Sequence, residues 1–86
     1  MPSPRFEALN RQNVIRAARK IDPKGIQKWS VVVDGTEYPV KQLLMEAANL
    51  IESPAPRVTP ADFIAHYAVH KLRRLGFTVK YYETGA

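Results

Sequence analysis

Hydrophobic and polar positions in this chain follow two different periods, and each switch between them marks an element. The clearest switch lies within residues 29–50. Val31-Val32-Val33 is a β-branched run that fits a strand and resists a helix. Asp34-Gly35 follows with the residue types that a tight hairpin turn needs, since glycine reaches positive φ without steric cost. A second, shorter strand then runs into Pro39, which cannot donate to a ladder, so the strand belongs at an edge or ends there. Pro39 also suits the first turn of a helix, and Leu43, Leu44, Ala47 and Ile51 recur at helical spacing. The stretch predicts a β-hairpin feeding directly into a helix.

Residues 1–9 form a lead-in, and Asn10 is a good N-cap with Phe6 or Leu9 available to pack onto the first turn. A helix over 11–21 sets Val14, Ala17, Ala18 and Ile21 on one side, with Arg11, Arg16, Arg19 and Lys20 mostly away from it. Asp22-Pro23-Lys24-Gly25 ends that helix. Residues 52–58 form a loop stiffened by Pro54 and Pro56, after which Thr59, Pro60 and Asp62 supply a helix start. This helix is expected to run to Leu75 with Gly76 as its C-cap. Ile64, Ala68, Leu72 and Leu75 would form its apolar stripe, flanked by Phe63 and Tyr67. Residues 77–82 alternate as a half-buried strand does, and Thr84-Gly85-Ala86 is expected to fray. The predicted fold is α+β, a three-stranded antiparallel sheet packed with three helices in the order α-β-β-α-α-β. The valine strand takes the centre, with Val31 and Val33 buried. At 86 residues the chain is one small domain, with an ordered core over about 6–82.

The composition, 45% hydrophobic and 24% charged, is that of a globular protein rather than a disordered chain. Absence of cysteine removes disulfides and thiolate chemistry and fits a reducing compartment. No apolar run reaches the length of a membrane span and no signal-peptide core opens the sequence, so a cytoplasmic location without membrane association is expected. The net charge of +5 is unevenly spread: residues 1–28 carry +5, residues 29–62 carry −3 and residues 63–86 carry +3. If the two terminal thirds meet in the fold, they could form one positive face, and the natural partner is a polyanion, nucleic acid above all, with charge alone leaving DNA and RNA both open.

Particular residues sharpen that expectation. His66, His70, Arg73 and Arg74 climb one side of the last helix. Arginine's bidentate fork suits phosphates and base edges, although arginines at a helix C-terminus also stabilise the helix by themselves. The two histidines stand at i, i+4, a spacing that can meet a metal. With no cysteine, and with Asp62 as the one further ligand nearby, neither a metal nor any cofactor is expected. Lys41 lies in a helix's first turn, where it opposes the dipole. It is either a solvated surface lysine or part of an anion site made with the free amides of that turn. Arg19 joins the candidate set on charge alone, and Trp29 and Tyr82 are candidates for stacking on unpaired bases. The serines lie in no nucleophile motif and no glycine loop is built to cradle phosphate, so an enzyme is not expected.

Asp34-Gly35, Tyr38-Pro39-Val40-Lys41 and Leu72-Arg73-Arg74-Leu75-Gly76-Phe77 together resemble a small N-terminal module of bacterial HNH restriction-type, modification-dependent endonucleases. The family pattern places a second proline at Val40 and a glycine pair at Ile64-Ala65, and this chain departs from it at both. The resemblance implies a non-catalytic DNA-binding module associated with restriction or defence, acting alone or with a separately encoded effector protein. Arg73 and Arg74 match the family's basic segment. The alternative is a protein-interaction adaptor that uses the acidic middle of the chain and an exposed sheet edge.

Overall fold

The structure, a computed structural model, describes residues 4–22, 25, 26 and 28–83. The expected turn at Pro23-Lys24, the first three residues of the lead-in and the tail from Thr84 lie outside the described residues. The elements in order are helix α1 (Pro4–Glu7), helix α2 (Arg11–Lys20), strand β1 (Trp29–Val33), strand β2 (Thr36–Pro39) and helix α3 (Val40–Asn49). A 3-10 turn (Pro60–Asp62), helix α4 (Ala65–Arg74) and strand β3 (Thr78–Tyr81) complete them.

The hairpin forms because Asp34 and Gly35 both take positive φ, 50° and 80°, the geometry whose twist matches the flanking strands. The sheet is antiparallel in the order β2-β1-β3, with Val31 paired to Tyr38 on one side and Val79 on the other. Val31 and Val33 are buried in the core with Leu43, Leu44, Ala68 and Leu72. Each of these leucines, fully removed from water, contributes about 2 kcal/mol of transfer free energy. Val32 pairs with Glu37 and Thr78 on the opposite, more polar face. Pro39 ends β2 and caps α3 from the position just outside it, at φ −61° and ψ 132°, one residue earlier than a first-turn proline.

Two expectations are corrected. The lead-in contains a helical turn, α1, whose Phe6 is buried against Phe63 (ring centroids 5.2 Å apart) and Tyr67 (5.1 Å). The last helix, moreover, does not begin at Pro60. Asp62 accepts hydrogen bonds from the Thr59 backbone N–H (2.7 Å) and hydroxyl (3.2 Å), which closes a single 3-10 turn. Phe63 and Ile64 then run extended, at φ −158° and −107°, before α4 starts at Ala65. The break lets Phe63 turn inward onto Phe6. A continuous helix would instead bury Ile64 in line with Ala68 and Leu72, whereas Ile64 is 66% exposed. Edge-to-face aromatic packing adds about 1 kcal/mol beyond the area buried in favour of the inward placement of Phe63.

Candidate nucleic-acid interface

Helix α4 presents the densest group of cations and rings. Ala68, Val69 and Leu72 fix it to the core, which leaves His66, His70, Arg73 and Arg74 exposed. Trp29, at the start of β1, is half-buried and joins three elements. Its ring centroid lies 4.6 Å from that of Tyr81, its register partner on β3, and 6.0 Å from that of His66, whose ring stands nearly perpendicular to it. The Arg73 guanidinium lies 5.9 Å from the same indole. His66, Arg73, Trp29 and Tyr81 therefore form one aromatic and cationic patch where α4 meets the sheet. His70 and Arg74 continue it along the helix.

Tyr82, the other tyrosine of this strand end, belongs elsewhere. Its hydroxyl donates to Glu37 at 2.5 Å, and Ser30, fully buried, donates to the same carboxylate oxygen at 2.7 Å. These bonds hold the Glu37 carboxyl below its ordinary value, Tyr82 contributing most and the Lys80 charge adding to it, although burial opposes them. Strand alternation explains the separation: Tyr81 points with Trp29 and Tyr82 with Ser30. Of the two stacking candidates, Trp29 and Tyr82, the structure therefore sets Tyr82 apart from Trp29, whose ring neighbour on this strand is Tyr81.

Lys41 is tethered. Its ammonium donates to the Pro60 carbonyl at 2.7 Å and lies 5.0 Å from the Phe63 ring, which offsets the cost of a cation at a positive helix end. Lys41 thus ties the start of α3 to the segment that leads into α4. Between these two helix starts lies a groove of about 690 Å³ whose lining includes Lys28, Trp29, Lys41, Met45, Ile64 and His66. Neither α3 nor α4 is capped by a side chain at its N-terminus. The amides of both first turns, which lack intrahelical acceptors, thus border the same space.

Arg19 is exposed in the last turn of α2, three residues before Asp22, whose carbonyl accepts a bond from Gln42 at 3.1 Å. That bond brings the end of α2 to the start of α3. Arg19, on α2, is thus not one of the side chains gathered around Trp29, which are His66, Arg73 and Tyr81. Among the described residues no group of three or more His, Cys, Asp or Glu is placed to hold a metal. Nor is any helix among them long and apolar enough to cross a membrane.

Sequence reasoning missed two arginines that serve the fold. Arg5 is buried beneath the α3 C-terminus, and Arg11 lies 4.4 Å over the Phe77 ring and donates to the Leu75 carbonyl at 2.7 Å. It also missed Lys28 and Ile64 as neighbours of His66 across the groove. For Lys28 the available signal was its position beside Trp29. Nothing local in the sequence signalled Ile64, because its exposure depends on the break before α4. Compared with protein-family models, curated proteins and solved structures, the chain matches none.

Proposed function

We propose that this chain is a non-catalytic DNA-binding module, with α4 as the element laid against the nucleic acid. The observation that carries the reading is the row of exposed His66, His70, Arg73 and Arg74 on a helix whose opposite side is locked into the core. A rigid helix bearing cations on its free face can follow a phosphate backbone or enter a major groove about 12 Å wide. The partly exposed indole of Trp29 beside Arg73 adds a surface on which a base or sugar can rest. The net charge of +5 supports the same partner, and the resemblance to the HNH endonuclease module supports a restriction-associated role in the cytoplasm, alone or with a separately encoded effector.

Alanine variants of Arg73 and Arg74 test the reading. If each side chain contacts a phosphate, each variant weakens binding similarly on every DNA sequence and lowers the salt slope by about one. If one reads a base, its variant relaxes preference at one position, at a cost of about 1–3 kcal/mol. Variants that fold and bind as tightly as the wild type would remove α4 from the interface.

A further inference from the structure

The groove between the starts of α3 and α4 combines three features that no single element requires. One wall is apolar and accessible: Ile64 is 66% exposed although it is a large aliphatic side chain, and Trp29 and Met45 line the same space. Lys28, Lys41 and His66 also line it, and among the described residues no carboxylate does. Its volume, about 690 Å³, falls in the range of small-ligand sites and exceeds what a single side chain needs. Apolar walls with cations and no acid complement a ligand that carries a flat, weakly polar body and a negative charge.

We propose that this groove holds one unpaired nucleotide, its base against Trp29, Met45 and Ile64 and its phosphate against Lys28 and Lys41. This inference rests on the DNA-binding reading and adds to it a preference for unpaired over paired bases. A stacked base in a duplex cannot reach an apolar wall, whereas a base in a single strand or a bulge can, and its π-face is attracted to such a wall whatever its identity. The Lys41 ammonium donates one N–H to Pro60 and has two more to offer. It is thus held in place and still able to contact a phosphate.

Trp29 is the single tryptophan of the chain and lies where the groove meets the α4 face. Its emission therefore reports binding at both, and the difference between paired and unpaired DNA reports the groove. The test titrates the full chain with a short oligothymidylate, a fully paired duplex, and the same duplex carrying one unpaired thymidine. The single strand and the bulged duplex are expected to bind about tenfold more tightly than the paired duplex and to change Trp29 emission. Ile64→Asn is neutral in charge and lies at an exposed position. It is expected to cut that preference to less than about threefold while leaving affinity for the paired duplex unchanged. A preference confined to the bulged duplex or to the single strand identifies which source of unpaired base the groove accepts, and supports the proposal either way. Equal affinity for all three DNAs, with the same Trp29 response to each, overturns the groove assignment and leaves DNA binding by α4 standing. Binding to none of them removes both.

Discussion

Arg5 donates through Nη1 to the carbonyl of Ile51 at 2.5 Å, across forty-six residues of sequence. The same guanidinium reaches Ala48 (3.3 Å), Ser53 (3.3 Å), Ala55 (2.8 and 3.3 Å) and Pro56 (3.0 Å). Ala48 is near the C-terminal end of α3, where carbonyls lack intrahelical donors and the dipole is negative. The other acceptors belong to the loop that follows. One planar fork thus closes a helix end and organises a loop at once, a task suited to arginine's five donors. Asn49 pins the far end of the loop by exchanging two hydrogen bonds with Val58, at 2.7 and 3.0 Å.

Arg5→Ala is expected to lower folding stability by about 3 kcal/mol, because it strands the buried Ala48 carbonyl and four partly buried ones at once. Arg5→Lys is expected to recover little of this, since a single ammonium cannot span the fork. Urea unfolding measures both. A loss below about 1 kcal/mol for the alanine variant would show that water replaces the guanidinium.

The contrast between this arginine and the sheet explains what was legible beforehand. Val31, Asp34-Gly35 and Val79 announce themselves because strand propensity, turn chemistry and alternation are local properties that agree with one another. The positions of His66, His70, Arg73 and Arg74 on one helix follow from spacing in the same way. Arg5 looked like part of an irregular lead-in because its partners are carbonyls, which have no sequence signature. The true start of α4 is hidden from the local sequence for a related reason. Thr59-Pro60-Ala61-Asp62 is a good local helix start, yet its continuation is decided by where Phe6 offers Phe63 a place to pack. That contact spans most of the chain. The groove depends on the same break, since it brings Ile64 to the surface beside Trp29, and so it was beyond reach of periodicity.

Gly76 has φ +92°, and a Cβ there would lie 2.6 Å from Arg11 Nη1. Gly76→Ala is therefore expected to cost about 1–2 kcal/mol, from backbone strain and from displacement of the arginine that bonds Leu75 and stacks on Phe77. In an Arg11→Ala background the strain persists and the displacement does not. The same substitution should then cost measurably less, by about 0.5 kcal/mol or more in a double-mutant cycle. Strict additivity would contradict the coupling.

Glu37 and Tyr82 give stability a pH dependence with a fixed sign. The folded state holds the Glu37 carboxyl below its ordinary 4.5, chiefly through the Tyr82 bond and next through Ser30. Its contribution is present above that ordinary value and is lost as pH falls through the depressed one. Tyr82 is raised above 10.0, chiefly by its bond to Glu37, so its contribution is present below that value and is lost as pH rises through the raised one. Glu37→Gln is expected to flatten both limbs of a plot of unfolding midpoint against pH. Limbs parallel to those of the wild type would show that the bond is absent in solution.

The central claim is that the α4 face binds nucleic acid through its phosphates, and the salt dependence of wild-type affinity for duplex DNA tests it most directly. Plotted as the logarithm of the binding constant against the logarithm of salt concentration, the data should fall on a line with a negative slope of about 0.9 per phosphate neutralised. The two arginines of the α4 face, Arg73 and Arg74, set the scale of that slope for a duplex at about −2. Absence of binding even at low salt, or an affinity indifferent to salt, would contradict the claim and favour an adaptor that docks through its sheet edge.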